Sequence, residues 1–222
     1  MLDDSVLISG EFASTLEAIQ RQEFRLVCFD FGGTLHDFVP LHVRGFTSAL
    51  GIERGSEAAQ KVERAVREAL VRGVDSFEML RLIATALSLP QDTDLKAVVV
   101  TKRSLVEVYL REAELSRDVC TFLTQVMSLC SIAVISLGLV TSMETVLMRS
   151  LGDLSRKIAV YGRRSLTERV NKLQLLRQAI QDIGAPRSSV VYVGDAEVDE
   201  CIGNDLGVAV IRLRPFRSSI SS

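Results

Sequence analysis

Four short segments of the chain contain the residue types that metal and phosphate chemistry requires. The first is Asp30-Phe31-Gly32-Gly33-Thr34, which follows an apolar run over residues 24–29. The second is Ser136-Leu137-Gly138, the third is the single residue Lys172, and the fourth is Gly194-Asp195-Ala196-Glu197-Val198-Asp199. Together they supply a hydroxyl, an ammonium group and the aspartate carboxylates of Asp30, Asp195 and Asp199.

This mixture of groups has a chemical meaning. Carboxylates that share a site repel one another unless a hard cation binds them, and Mg²⁺ prefers a few carboxylate oxygens together with phosphate and water. A lysine and a hydroxyl nearby suit the non-bridging oxygens of a phosphoryl group. A carboxylate can also act as the nucleophile and form an aspartyl-phosphate. The residue types therefore predict metal-assisted phosphoryl chemistry, if the fold brings the segments together.

Short apolar runs alternate with helical patterns from about residue 117 onward. This alternation is typical of βαβ units, which form a parallel sheet with helices on both faces. The predicted fold class is therefore α/β, a doubly wound, Rossmann-like parallel sheet. In such sheets ligands bind at the carboxyl ends of the strands, where all four segments would lie. The predicted strands are 24–29, 132–136, 158–162, 190–194 and 208–213.

Residues 43–112 show helical spacing of apolar residues without a clear strand signal. The predicted helices are 56–71, 76–89 and 95–114, although 97–100 alone would also fit a strand. We predict an N-terminal extension with a helix (1–22), an α/β core (23–42 and 113–222) and an inserted helical cap (43–112). The length of 222 residues, about one and a half domains, agrees with this division.

Composition disfavours several classes of protein. The 26 basic and 28 acidic residues give a net charge of −2, and aromatic residues make up 5%, so neither a nucleic acid nor an anionic membrane is an expected partner. The uncharged run 119–143 is long enough for a bilayer but contains many hydroxyl side chains. The start of the chain is acidic, unlike a signal peptide. We expect a cytoplasmic protein, and the oligomeric state is not predicted.

In this order, the four segments resemble the four motifs of the haloacid dehalogenase-like (HAD) superfamily of hydrolases. Those motifs are Asp-x-Asp-Gly-Thr/Val at a strand end, a strand ending in Ser or Thr, a Lys, and Gly-Asp-x-x-x-Asp. The resemblance covers residues 24–45 and 115–213, and the insertion resembles the helical cap of the family in position and length. It implies a Mg²⁺-dependent phosphatase that acts on a small phosphorylated substrate.

The resemblance also implies a role for each matching residue. Asp30 would be the nucleophile, and Mg²⁺ would be bound by Asp30, Asp195, Asp199 and the backbone carbonyl of Gly32. Asp199 could instead be only a helix-cap carboxylate. Lys157 is a second candidate for the lysine of the third motif. The predicted phosphate-binding residues are Gly33, Thr34, Ser136, Leu137, Gly138 and Lys172, of which Ser136 and Lys172 are also predicted to be catalytic.

Gly32 departs from the family pattern, which has a second aspartate at this position. In phosphatases of the family that aspartate protonates the leaving oxygen and activates water, and such groups typically contribute about 10²–10⁴-fold. Three interpretations stay open. The first, which we favour because some phosphatases of the family carry glycine at this position, is a phosphatase that is slower, uses another acid such as His36, or takes good leaving groups. The second is a phosphonate-type hydrolase, which requires a cap lysine (Lys61, Lys96 or Lys102). The third is a catalytically weak or dead binding or regulatory protein.

Overall fold

The computed structural model describes residues 10–72, 74 and 76–216. These form two compact units: a core unit, made of the described residues up to His36 and from Ala113 onward, and a helical unit, made of those between Asp37 and Glu112. The strands are β1 (Leu26–Asp30), β2 (Ser131–Leu139), β3 (Ile158–Arg163), β4 (Val190–Gly194) and β5 (Ala209–Arg212). The helices are α1 (Glu11–Arg21), α2 (Val39–Ala49), α3 (Glu57–Arg72), α4 (Ser76–Leu87), α5 (Leu95–Leu110), α6 (Arg117–Met127), α7 (Val140–Leu151), α8 (Lys172–Ile183) and α9 (Glu197–Leu206).

The core unit is built on a parallel sheet with the strand order β3-β2-β1-β4-β5. The chain passes from β1 outward through β2 to β3, and then crosses back to place β4 on the other side of β1. The direction of winding therefore reverses between β1 and β4. In open α/β sheets the ligand-binding crevice lies at this reversal, outside the carboxyl ends of the strands. Asp30 and Gly194 end the two strands that flank it.

Helices cover both faces of the sheet, which confirms the predicted doubly wound fold. Every residue of β1 is buried, as expected for a central parallel strand. Leu26 and Cys28 pack in one cluster with Leu176 of α8. Phe29, which points to the opposite face because side chains alternate along a strand, makes an edge contact with Phe122 of α6 at 5.6 Å between ring centroids.

The helical unit consists of α2 to α5, and its described residues contain no strand. Residues 97–100 lie inside α5, so the alternative of a strand there is wrong. The sequence did not predict α2. Val39 and Val43 of α2 pack against the hydrophobic core of this unit, and the boundary consequently falls at 36/37 instead of the predicted 42/43.

Other elements differ from the sequence prediction mainly at their ends. β1 begins at Leu26, two residues later than predicted, and includes Asp30. β2 continues past Ser136 to Leu139, with an irregular register between Ile135 and Leu139. α1 falls within the predicted N-terminal helix, while residues 1–9 of that extension lie outside the described residues. Among the described residues, no helix has the length and apolar character to cross a membrane.

Candidate active site

A tight loop follows β1 and fixes the surroundings of Asp30. The carbonyl of Phe31 accepts hydrogen bonds from the amides of Leu35 and His36, each at 3.0 Å, and the amide of Gly33 donates to the carbonyl of His36 at 2.8 Å. Gly33 has φ +89°, and a Cβ at this position would lie 2.7 Å from the carboxyl carbon of Asp195. Only glycine therefore permits both this turn and the close approach of Asp195.

Lys172 lies between two buried carboxylates. Its Nζ is 2.9 Å from Oδ1 of Asp30 and 2.7 Å from Oδ1 of Asp199, and these aspartates are 6% and 1% exposed. Asn171 caps α8 by accepting from the amide of Leu173 at 2.9 Å, so Lys172 is the first residue of the helix. The structure thus places the Lys172 ammonium group in contact with Asp30 and Asp199. The other candidate, Lys157, directly precedes β3 and so lies at the amino edge of the sheet.

Asp199 receives two further hydrogen bonds from its surroundings. The Tyr192 hydroxyl donates to its Oδ1 at 3.0 Å, and the Ala196 amide donates to its Oδ2 at 3.1 Å. The second bond is that of a helix cap, because Ala196 immediately precedes α9. At Gly194 a Cβ would lie 2.4 Å from Asp199 Oδ2, so this glycine provides the space into which the carboxylate folds back.

The donor set fits a hard divalent cation. Asp30, Asp195 and Asp199 each offer a carboxylate oxygen, and these oxygens all lie within 4.8 Å of one another. These three carboxylates and the ammonium group of Lys172 form one acidic cluster, whose carboxylates repel one another when all of them are ionised. Carboxylate oxygens are the ligands that Mg²⁺ takes in proteins, usually with several waters. The other predicted ligand position, Gly32, forms an isolated parallel bridge with His36.

Burial has the largest effect on the ionisation of Asp30, and the neighbouring charges modify it. Burial raises the pKa of Asp30 to about 7, with Asp199 and Asp195 adding to the rise and Lys172 opposing it. Burial acts to lower the pKa of Lys172, but the adjacent carboxylates of Asp30 and Asp199 raise it above its usual range. Lys172 is therefore a fixed positive charge at neutral pH.

This raised pKa predicts a pH-dependent cost in stability when no metal is present. Protonated Asp30 contributes to the free energy of unfolding. This contribution is fully present below the ordinary pKa, near 3.8, and is lost as the pH rises through the raised pKa of about 7. In chelator at pH 8 we expect Asp30→Asn to melt several degrees above the wild type, since about 1 kcal/mol shifts the melting temperature by about 2–4 °C at this size. The difference in melting temperature between Asp30→Asn and the wild type should become smaller as the pH is lowered to 5. A variant that melts no higher than the wild type at pH 8 would contradict this prediction.

The remaining predicted phosphate-binding residues lie at the same edge of the sheet. Asp30 is paired with Ile135, so Ser136 is one residue further along the neighbouring strand. Its side chain is buried, and its Oγ accepts from the amide of Gly138 at 3.2 Å. Leu137 is half exposed. Thr34 is fully buried, and its hydroxyl has no hydrogen-bond partner among the described residues.

Sequence reasoning missed two residues of this cluster. Tyr192 lies inside the apolar run that predicts β4, and an apolar run does not indicate that a hydroxyl in it faces the site. Period-two alternation places it two residues before Gly194, and this signal could have found it. Arg214 donates from Nε to the backbone carbonyl of Asp195 at 3.1 Å, and no local pattern around Arg214 indicates that contact.

A parallel sheet with carboxylates at its switch point and a lysine beside them is the arrangement that the sequence resemblance predicts for its four motifs. Residues 24–203 match the family model of the haloacid dehalogenase-like hydrolases. The chain therefore belongs to the haloacid dehalogenase-like hydrolase family, which confirms the resemblance seen in the sequence. No curated protein matches the chain.

Solved structures share the fold at low sequence identity. A HAD-like family hydrolase from Streptococcus pneumoniae is 16% identical, with a TM-score of 0.65 and coverage of 86% of this chain and 84% of that one. CbbY from Rhodobacter sphaeroides, in complex with phosphate, is 18% identical, with a TM-score of 0.57 and coverage of 85% of both chains. YfnB from Bacillus subtilis, bound to magnesium, is 14% identical, with a TM-score of 0.61 and coverage of 89% and 92%. These likenesses establish the α/β fold.

Proposed function

We propose that the chain is a Mg²⁺-dependent phosphatase that hydrolyses a small phosphate monoester through an aspartyl-phosphate on Asp30. The observation that supports this most directly is the buried contact of Lys172 with Asp30, beside the carboxylates of Asp195 and Asp199. Membership of a hydrolase family supports the reaction type. The phosphate bound to CbbY and the magnesium bound to YfnB support the ligand classes.

In this mechanism a carboxylate oxygen of Asp30 attacks phosphorus. The bond from phosphorus to the leaving oxygen breaks, and the electron pair stays on that oxygen. Lys172 donates hydrogen bonds to phosphoryl oxygens and offsets the charge between Asp30 and the phosphate, while the Ser136 hydroxyl holds another phosphoryl oxygen. A bound Mg²⁺ supplies further positive charge to the carboxylates and the phosphate. Water then cleaves the aspartyl-phosphate, which releases phosphate and restores Asp30.

Gly32 determines which substrates react readily. Without a carboxylic acid at this position, the leaving oxygen departs as an anion unless another group protonates it. Acyl and aryl phosphates have leaving groups that are stable as anions at neutral pH, whereas simple alkyl phosphates do not. We therefore propose that substrates with good leaving groups react fastest.

We propose that the helical unit is a cap domain. Lids and caps of enzymes exclude water from the active site during the reaction. Two of the three candidates for the single lysine that a phosphonate-type hydrolase requires have other contacts within this unit. Lys61 pairs with Glu57 at 3.0 Å, and the buried Lys102 donates to the Ser76 hydroxyl at 3.3 Å. We propose no Schiff-base chemistry for them.

The test of this function is phosphate release from a panel of acyl, aryl, sugar and alkyl phosphates, with Mg²⁺ and with excess chelator. We expect release that requires Mg²⁺ and is fastest for acyl and aryl phosphates. Circular dichroism of the same samples establishes that the chain is folded. If folded protein with Mg²⁺ releases no phosphate from any compound, the proposal is wrong, and a binding or regulatory role takes its place.

A further inference from the structure

Tyr192 is a fully buried residue whose only polar side-chain atom faces the cluster of charges. Its ring packs in the same hydrophobic cluster as Leu176 of α8, and its hydroxyl donates to Asp199 Oδ1 at 3.0 Å. A buried phenol hydroxyl requires an acceptor. The ring centroid is also 6.0 Å from Lys172 Nζ, at the outer limit of a cation–π contact. Tyr192 therefore borders both Asp199 and Lys172.

The carboxylate of Asp199 is already well supplied with donors from this chain. Oδ1 accepts from Lys172 Nζ at 2.7 Å and from the Tyr192 hydroxyl, and Oδ2 accepts from the Ala196 amide at 3.1 Å. The side chain is 1% exposed, whereas Asp195 is only partly buried. Three donors of this chain thus already occupy hydrogen-bond positions on the Asp199 carboxylate, which leaves it little capacity to bind a cation directly.

We propose that Tyr192 is a positioning residue that acts through Asp199 on Lys172, and that Asp199 orients the lysine instead of binding the cation directly. The inference rests on the proposed function, because it concerns how Lys172 meets a phosphoryl group. A lysine side chain has four rotatable bonds, so an ammonium group held from one side alone can move away from its target. Asp199 gives Nζ a second acceptor besides Asp30, and the Tyr192 hydroxyl donates to the Asp199 oxygen that makes this contact.

Tyr192→Phe removes only the hydroxyl and keeps the ring. Asp199 then loses one of the two donors on Oδ1, so its carboxylate can turn and draw Lys172 away from the phosphoryl position. With Mg²⁺ present, we expect the affinity for inorganic phosphate, measured by calorimetry, to fall about tenfold, the size expected for a lost hydrogen bond to a charged group. The affinity for Mg²⁺ alone should stay within about twofold of the wild-type value, because no proposed cation ligand has changed.

Two aspartate variants separate the roles of the carboxylates. Asp195→Asn should weaken Mg²⁺ binding at least about tenfold, since it removes a direct ligand. Asp199→Asn should weaken Mg²⁺ binding by no more than about threefold and weaken phosphate binding more than tenfold. This second variant also decides the question if Tyr192→Phe does not fold.

Tyr161→Phe is the matched control for the loss of a hydroxyl. Tyr161 packs against the same hydrophobic cluster, but its hydroxyl faces Asp182 near the far end of α8. Its phosphate and Mg²⁺ affinities should equal those of the wild type. The melting temperature of each variant is measured beside its affinities. If Tyr192 has a purely structural role, Tyr192→Phe lowers the melting temperature and leaves the phosphate affinity of the folded protein unchanged.

Three outcomes would overturn the inference. Unchanged phosphate affinity in folded Tyr192→Phe removes the positioning role. Loss of Mg²⁺ binding in Asp199→Asn as complete as in Asp195→Asn makes Asp199 a direct ligand. In both cases wild-type activity stands, and with it the proposed function. A wild-type chain that binds neither Mg²⁺ nor phosphate, and hydrolyses no ester, overturns the proposed function and this inference together.

Discussion

Asp30→Asn releases phosphate at least about 10³-fold more slowly than the wild type, by analogy with the effect of removing a nucleophile in other enzymes. The asparagine side chain has nearly the same shape, and its amide oxygen can still accept from Lys172, which lies 2.9 Å from Asp30 Oδ1. It cannot form an aspartyl-phosphate. The measurement is steady-state phosphate release with the best substrate of the panel at saturating Mg²⁺.

Asp153→Asn is the matched control for this substitution. The Asp153 side chain is 91% exposed and pairs with Arg156 at 3.6 Å, so its replacement should leave phosphate release unchanged. In samples of the wild type that are quenched with acid during turnover, a fraction of the chains should carry one covalently bound phosphoryl group. Asp30→Asn should carry none. Release by Asp30→Asn at more than about a tenth of the wild-type rate would contradict the assignment of Asp30 as the nucleophile.

Gly32→Asp raises the rate of alkyl phosphate hydrolysis by about 10²–10⁴-fold, the usual contribution of a general acid–base group. Alkyl leaving groups gain most because their oxygen must be protonated as the bond to phosphorus breaks. Acyl and nitrophenyl phosphates should change much less. Gly32 is not among the glycines with positive φ, so an L-residue there meets no left-handed strain. The measurement is kcat/KM across leaving groups of graded pKa for both proteins.

Gly32→Asn is the control for the size of the new side chain, since an amide does not protonate a leaving group. Equal rates for the aspartate and asparagine variants would show that no acid is gained at this position. A wild-type rate that hardly depends on the leaving group would show that another acid already acts. His36, whose ring stacks on Phe31 with centroids 6.0 Å apart, is then the first candidate to replace with alanine.

The sequence predicts that Asp30, Asp195 and Lys172 lie close together, and the structure places them so, because the functional groups follow the ends of predicted strands. Asp30 and Asp195 each follow an apolar run and a parallel sheet brings such ends to one edge, so no side-chain packing had to be known. Both Lys172 and Lys157 fit the third motif by sequence. The structure distinguishes them, because it places them at opposite edges of the sheet. The contact of Tyr192 with Asp199 depends on how α9 starts after Gly194, which the coarse strand–helix pattern did not specify.

The missed helix and the moved boundary have a local cause. α2 begins after Phe38, so the usual Ser, Thr, Asp or Asn directly before the helix is missing, and the proline in the first turn is the start signal that remains. The helix contains Gly45, which allows a close approach of α5. A Cβ at this position would lie 3.0 Å from a methyl carbon of Val106. The extension of β2 to Leu139 depends on pairing with Arg163, a tertiary contact that the local sequence does not contain.

The central place of β1 in the sheet links the proposed chemistry to cooperative unfolding. β1 is hydrogen-bonded to β2 on one side and to β4 on the other. Core strands of this kind open only in the highest-energy fluctuations, with the global free energy of unfolding, whereas loops and edges open locally. Asp30, the proposed nucleophile, thus lies in the part of the core unit that we expect to exchange its amide protons last. Heat or denaturant that displaces Asp30 from Lys172 by opening β1 must unfold the whole core unit.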